Sequence, residues 1–123
     1  MSYTIITDMV GKVFTKVSEN GDELIFENDM EKFVFCHWQS CCENVYIESV
    51  VGDLSDLENT PIRIAEEVSN ESEPEDFDAN LHESYTWTFY KFATIKGYVD
   101  VRWFGSSNGY YSEGVSLNYE KKS

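Results

Sequence analysis

Short runs of alternating apolar and polar residues, separated by turn-forming residues, cover most of this 123-residue chain. Alternation with a period of two places the apolar side chains on one face of a β-strand. Residues 12–18 and 23–27 are two such runs, and Asn20-Gly21-Asp22 lies between them. Because Asn-Gly favours the tight turns that join antiparallel strands, this segment predicts a β-hairpin.

The same pattern predicts further strands over residues 3–7, 32–38, 45–51, 85–95, 98–105 and 115–119. Residues 62–68 are strand-like, although Ala65-Glu66-Glu67 leaves a helix open. One helical turn is predicted within residues 53–61, where Asp53 can cap its start and Pro61 can end it. The predicted fold class is all-β or β-rich α+β, a single domain with mainly an antiparallel sheet of about eight short strands and one or two short helices.

A polar, acidic segment interrupts the strand pattern. Eight carboxylates lie between Glu66 and Glu83, and no lysine or arginine lies between Arg63 and Lys91. We therefore predict one β-rich domain over residues 1–123. An exposed acidic loop is expected at about residues 69–80, and its composition is that of a mobile segment. A solvated loop is the favoured interpretation, and a surface that recruits a partner or imitates DNA is the alternative.

The net charge of −14 limits the partners that this chain can have. Such a charge repels nucleic acid and anionic membranes, so we predict neither direct nucleic-acid binding nor membrane binding. The sequence contains no apolar run near the length of about 20 residues that spans a bilayer. The N-terminus shows no signal-peptide pattern, and three free cysteines suit a reducing compartment, so a cytoplasmic location is expected.

Cysteine and histidine cluster in the segment Cys36-His37-Trp38-Gln39-Ser40-Cys41-Cys42. Cys36, His37, Cys41 and Cys42 are weak candidates for a metal site, because neighbouring strand residues point to opposite faces and the spacing is not that of common zinc sites. The alternation instead groups Cys36 with Val34 and Trp38 on a predicted core face. Packing thiols are thus favoured over metal ligands.

An enzyme is disfavoured by the sequence. A cysteine nucleophile needs a base such as His37 or His82, and the surrounding acidity raises a thiol pKa rather than lowering it. Phosphate loops and nucleophile elbows are absent from the sequence. We therefore predict no catalytic residue and no cofactor.

The C-terminal strands carry aromatic residues on both faces. Either both faces are buried, or one of them forms a binding groove or a dimer contact. Asp100 and Arg102 share a face with Tyr98 and Phe104. Glu43, Glu48 and Asp100 lie among apolar residues, and Arg102 is the natural partner for such carboxylates. Arg102 can therefore form an ion pair, or it can bind a phosphate or carboxylate of a ligand.

A small-ligand site is predicted from these residues, with aromatic side chains that stack, an arginine that meets anionic groups, and a polar turn that donates hydrogen bonds. The candidate ligand-binding residues are His37, Trp38, Glu43, Trp87, Arg102, Asn108, Tyr110 and Tyr111. The ligand predicted for this site is small, anionic and nucleotide-like.

Three blocks of the sequence, CCENVYIE at 41–48, TWTFYKFATIKG at 86–97 and RWFGSSNGYYS at 102–112, resemble a family of small proteins of unknown function from phages and prophages. The resemblance implies a phage setting and brings no catalytic residues. The expected function is that of an acidic, non-enzymatic binding protein in the host bacterial cytoplasm. It would block a host-defence component or sequester a nucleotide-like ligand.

Three alternatives stay open at this point. The first is a DNA-mimicking inhibitor of a basic nucleic-acid-binding host protein. The second is a cysteine- or metal-dependent enzyme, which stoichiometric zinc or one fast-reacting thiol would support. The third is a homodimer formed through exposed strand aromatics.

Overall fold

The computed structural model describes residues 2–38, 43–70, 84–107 and 114–122, which form nine β-strands and two single-turn 3-10 helices. The strands are β1 (Ser2–Tyr3), β2 (Lys16–Glu19), β3 (Glu23–Glu27), β4 (Glu31–Cys36), β5 (Asn44–Val51), β6 (Ile64–Asn70), β7 (Ser84–Thr94), β8 (Gly97–Ser107) and β9 (Ser116–Lys121). The 3-10 helices cover Ile6–Met9 and Leu54–Leu57. The prediction of a β-rich fold with one or two short helices is confirmed.

The described strands form two antiparallel sheets. The five-stranded sheet has the order β1-β9-β4-β3-β2, and the four-stranded sheet has the order β5-β8-β7-β6. The predicted hairpin joins β2 to β3, where Gly21 has a φ of +95° and the side chain of Asn20 accepts hydrogen bonds from the Asp22 and Glu23 amides. Local turn chemistry therefore sets this register.

One hydrophobic core lies between the two sheets, so the fold is a β-sandwich. Aromatic rings make the contact across the layers. The centroids of Phe26 and Phe92 are 4.8 Å apart, and those of Phe35 and Tyr90 are 4.6 Å apart. Trp103 is also fully buried in this cluster. Of the aromatic residues described on the C-terminal strands, Tyr90, Phe92 and Trp103 are buried, whereas Trp87, Phe89, Tyr98 and Phe104 are not.

Strands β7 and β8 form a long hairpin whose two faces differ. Their register aligns Tyr90 with Val101 on the inner face, and Phe89 with Arg102 on the opposite face. Because side chains alternate along a strand, every second residue of each strand points away from the core. As a result, a row of aromatic and charged side chains lies on the outer side of the four-stranded sheet.

Several strand boundaries differ from the sequence predictions, and three of the differences change how the chain is interpreted. The first strand ends at Tyr3 rather than residue 7, because the chain leaves the sheet edge and buries Met9 in the core. The segment predicted as strand-like over residues 62–68 forms strand β6, which begins at Ile64 and pairs with β7, and the helix that the sequence leaves open does not form there. That strand continues to Asn70, so the first two residues given to the acidic loop are strand residues. Residues 71–83 lie outside the described residues.

The helical turn predicted after β5 is present. The carboxylate of Asp53 accepts a hydrogen bond from the Ser55 amide at 2.9 Å, as an N-cap does. Hydrogen bonds from the Ser55 hydroxyl and amide lower the pKa of Asp53. Leu57 of this turn is buried in the core.

Candidate aromatic binding face

The outer surface of the four-stranded sheet carries aromatic and charged side chains that point away from the core. We call this surface the aromatic face. Its members are Tyr46, Ser49 and Val51 of β5, Ile64, Glu66 and Val68 of β6, Trp87, Phe89 and Lys91 of β7, and Tyr98, Asp100, Arg102 and Phe104 of β8. Tyr98 is 75% exposed and Val51 is 65% exposed. Exposed apolar side chains gathered on one face are typical of an interaction surface.

Arg102 lies at the centre of this face and is held from two sides. Its guanidinium carbon is 5.1 Å from the centroid of the Trp87 ring, which is cation–π geometry. Its Nε and Nη2 atoms are each 2.5 Å from the same carboxylate oxygen of Glu48. The ion pair that the sequence left open is therefore present, and Glu48 is the partner.

A β-bulge explains how Glu48 reaches Arg102. The pairing of β5 with β8 shifts between Ile47 and Ser49, so Glu48 is the extra residue. A bulge re-aims the side chain that it carries. Glu48 drew attention in the sequence as a carboxylate among apolar residues, but a bulge leaves no signal in the alternation pattern.

A row of rings continues from Arg102 along the face. The ring centroids of Trp87 and Phe104 are 4.6 Å apart, and those of Phe104 and Tyr46 are 5.9 Å apart. All three side chains are half-buried, so part of the Trp87 and Tyr46 rings reaches the surface. The sequence analysis did not select Phe104 or Tyr46, because it could not separate core aromatics from surface ones.

A cleft of about 190 Å³ lies beside Arg102. Its lining residues are Ser49, Val51, Phe89, Lys91, Asp100, Val101 and Arg102. Pockets for whole drug-sized molecules are usually about 300–1,000 Å³, so this cleft suits one group of a larger ligand. The remainder of such a ligand would lie on the neighbouring rings.

His37 and Glu43 form a separate, buried arrangement where β4 ends and β5 begins. Their side chains are 6% and 0% exposed, and His37 Nε2 is 2.9 Å from a Glu43 oxygen. The other ring nitrogen, Nδ1, donates to the Gly114 carbonyl oxygen at 2.8 Å, because a carbonyl oxygen can only accept. Both imidazole nitrogens are thus engaged in hydrogen bonds to Gly114 and Glu43.

The described part of the cysteine cluster also packs rather than reacts. Cys36 is buried, and the Asn118 side chain donates to its sulfur at 3.4 Å. Burial, together with the charge of Glu23, raises the pKa of the Cys36 thiol. The prediction that Trp38 shares a core face with Cys36 is wrong, because β4 ends at Cys36 and Trp38 is 52% exposed.

The candidate residues therefore divide into two places. Trp87 and Arg102 lie together on the aromatic face, whereas His37 and Glu43 are buried at the strand ends. Asn108, Tyr110 and Tyr111, and the metal candidates Cys41 and Cys42, lie outside the described residues. Within the described ranges, no group of three or more His, Cys, Asp or Glu side chains is placed to hold a metal ion.

Fold and site together define a small β-sandwich protein with an open aromatic face. The chain matches the family described as a domain of unknown function (DUF7448) over residues 7–117, and it belongs to that family. No curated protein and no solved structure shows a significant match. The helices in the described part of the chain are too short to cross a membrane. The family description gives no source, so the phage setting stays a prediction.

Proposed function

We propose that this protein is a non-enzymatic binding protein that sequesters a small nucleotide-like ligand on its aromatic face. The observation that carries the proposal is the fixed position of Arg102 between the Trp87 ring and the Glu48 carboxylate on an exposed surface. An aromatic base would stack on the exposed part of the Trp87 or Tyr46 ring, and an anionic group would meet the guanidinium.

The aromatic part of the ligand is supported by the ring row of Trp87, Phe104 and Tyr46. Stacking of a base on an aromatic side chain is worth about 1–3 kcal/mol and tolerates different bases. The half-buried rings are already held by their neighbours, so a ligand has little side-chain entropy to overcome.

The anionic part of the ligand is supported by the hydrogen-bond donors that Arg102 keeps. A guanidinium has five N–H donors, and the contacts to Glu48 run from Nε and Nη2 alone. The Arg102 side chain is 42% exposed, so its remaining donors are accessible. Lys91 lines the same cleft and adds a second positive charge there.

A phage setting gives this binding its biological purpose in our proposal. The three sequence blocks resemble proteins from phages and prophages, and a small protein that removes a nucleotide-like signal would block a host-defence response. This step rests on analogy rather than on a contact in the molecule.

The DNA-mimicking alternative receives less support from the described surface. A mimic needs carboxylates in a row that resembles a phosphate backbone. Across the outer side of the five-stranded sheet, the register instead aligns Lys16, Glu27, Lys32 and Glu120, whose charges alternate in sign. The carboxylates between Glu71 and Glu83 lie outside the described residues.

The proposal is tested by native mass spectrometry of the purified protein after incubation with a bacterial metabolite extract. We expect an added mass in the nucleotide range that is lost on denaturation. Arg102→Ala and Trp87→Ala should each abolish or strongly reduce the adduct. Arg63→Ala is the matched control, since Arg63 is the other arginine of the chain, is exposed, and lies outside the aromatic face.

A defined probe series separates the two parts of the ligand. Isothermal titration with AMP, adenosine and ribose 5-phosphate compares a complete nucleotide with one that lacks phosphate and one that lacks the base. We expect AMP to bind tightest of the three. If folded Arg102→Ala and Trp87→Ala proteins kept the adduct and the AMP affinity, the aromatic face would not be the site.

A further inference from the structure

A second cleft lies between the N-terminal segment and strands β4 and β9. Its volume is about 310 Å³, and its lining residues are Thr4, Asp8, Lys12, Phe33 and Tyr119. This volume lies at the lower end of the range of small-molecule pockets, about 300–1,000 Å³. No residue of the aromatic face lines it, so it is a separate feature.

The floor of this cleft is aromatic. The Phe33 and Tyr119 rings are register partners on β4 and β9, with centroids 5.1 Å apart and an angle of 61° between the planes. Phe33 is buried, whereas Tyr119 is only half-buried. The part of the floor that water reaches is therefore the Tyr119 ring, with the Phe33 ring packed beside it.

One wall holds a cation in a fixed position. The ammonium of Lys12 is 2.8 Å from Oε1 of Glu31 and 5.8 Å from the centroid of the Phe33 ring. The hydroxyl of Tyr119 donates to Oε2 of the same glutamate at 3.0 Å, which raises the pKa of Tyr119. Both oxygens of Glu31 are thus occupied, and an ammonium with three donors keeps two for a further acceptor.

The N-terminal segment contributes an anion. Asp8 lines the cleft, is exposed, and accepts a hydrogen bond from the Thr4 hydroxyl through Oδ2. Oδ1 of Asp8 has no hydrogen-bond partner among the residues that the structure describes. It can therefore accept from a ligand.

We propose that this cleft binds a small zwitterion with an apolar body, of which a free α-amino acid is the simplest form. The ligand carboxylate would accept from Lys12, its ammonium would donate to Asp8, and its apolar side chain would lie on Phe33 and Tyr119. A purely anionic ligand is disfavoured, because the cleft carries Asp8 and Glu31 against one lysine. A purely cationic ligand is also disfavoured, because the ammonium of Lys12 would repel it.

The test is a titration of the ¹⁵N-labelled protein with L-leucine, N-acetyl-L-leucine and L-leucinamide, followed by amide chemical shifts. The second ligand lacks the ammonium and the third lacks the carboxylate. We expect saturable shifts at Thr4, Asp8 and Tyr119 with L-leucine, and at least about tenfold weaker binding of each analogue, since each loses a charge-assisted hydrogen bond.

Matched variants assign the two contacts. Lys12→Gln should remove the preference for leucine over leucinamide, and Asp8→Asn should remove the preference for leucine over N-acetyl-leucine. Lys16→Gln and Asp22→Asn are the controls, because both residues are exposed and lie outside the cleft. Arg102→Ala should leave leucine binding unchanged, which keeps this site independent of the aromatic face.

Either of two outcomes would overturn the proposal: no saturable shift at the cleft residues, or equal affinity for leucine and leucinamide. If Lys12→Gln fails to fold, the comparison of the three ligands on the unchanged protein and the Asp8→Asn variant decide the question.

Discussion

The carboxylate of Glu48 and the guanidinium of Arg102 meet across two neighbouring strands because a β-bulge adds one residue to β5. Both side chains are partly exposed. Their ion pair therefore contributes little to the stability of the fold, as surface pairs generally do. Its effect is to hold the arginine in one orientation over Trp87, and to compete with any anion that approaches the same donors.

Removing that competition should strengthen anion binding. We expect Glu48→Gln to raise the affinity for AMP by up to about fivefold, because exposed ion pairs are worth roughly 0.2–1 kcal/mol. Isothermal titration measures the change. Glu66→Gln is the control, since it removes the same charge from the same face without a contact to Arg102. A fall in affinity with Glu48→Gln would show that the carboxylate positions the arginine instead.

The buried pair of His37 and Glu43 should matter for stability. Replacing His37 by alanine removes the two hydrogen bonds that its ring makes to the buried Glu43 carboxylate and to the Gly114 carbonyl oxygen. An intramolecular hydrogen bond contributes about 0.5–1.5 kcal/mol, so we expect a loss of about 1–3 kcal/mol in the free energy of unfolding. Urea denaturation measures it, with the exposed neighbour Trp38→Ala as the control at less than about 1 kcal/mol. A loss below 1 kcal/mol for His37→Ala would show that the pair is not structural.

Two glycines allow backbone strain to be separated from steric overlap. Gly21 and Gly52 both have positive φ angles, +95° and +109°. A Cβ added at Gly52 would lie 2.4 Å from the Tyr98 carbonyl oxygen, whereas one at Gly21 would meet nothing within 4 Å. We expect Gly21→Ala to cost about 1–2 kcal/mol from backbone conformation. Gly52→Ala should cost about 1–3 kcal/mol more, because β8 must move. Equal losses in thermal unfolding would contradict the close approach.

Tyr90 should make the fold sensitive to alkali. Burial, and to a smaller extent the Glu67 carboxylate, raise the pKa of its phenol above the ordinary value of 10.0. In the unfolded chain the phenol loses its proton near that value, while the folded protein keeps it. The contribution of Tyr90 to the free energy of unfolding is therefore fully present below about pH 10, and it is lost as the pH rises above that value.

The variant Tyr90→Phe tests this behaviour. The Tyr90 hydroxyl has no hydrogen-bond partner among the described residues, so its removal should leave stability at pH 7 unchanged or raise it by about 1 kcal/mol. It should also flatten the loss of stability between pH 9 and pH 11, as measured by urea denaturation. Tyr98→Phe, at an exposed position, should change neither. A loss at pH 7 would reveal a partner for the hydroxyl.

The thiol of Cys36 should be alkylated only when the protein unfolds. Its thiol is buried and its pKa is raised by burial and by Glu23, so the reactive thiolate is scarce and covered. We expect iodoacetamide to modify Cys36 in denaturant but not in the native protein at pH 7, as read by peptide mass mapping. Labelling in the native state at the rate of a free thiol would contradict this arrangement.

The sequence predicted which types of residue form the candidate site, an arginine and aromatic side chains, but not where in the fold they meet. Alternation correctly placed Arg102 and Phe104 on one face. The aromatics on both faces left two outcomes open: either both faces are buried, or one of them forms a binding groove or a dimer contact. The choice of which side of β7 and β8 packs on the core depends on the five-stranded sheet, and the strands of that sheet lie far away in the sequence. The role of Glu48 depends on an irregular pairing with β8, which no local pattern records.

The sequence by itself determined the β-rich class, the hairpin at Gly21, the capped turn at Asp53 and the strand pair around residues 95–97. Each of these follows from side-chain alternation or turn chemistry, which act between near neighbours. Only the tertiary structure decided that β9 pairs with β4, that Met9 closes the core, and that His37 meets Glu43 and Gly114. These choices depend on which distant segments bury each other, and that free energy belongs to the whole packed chain rather than to any segment of it.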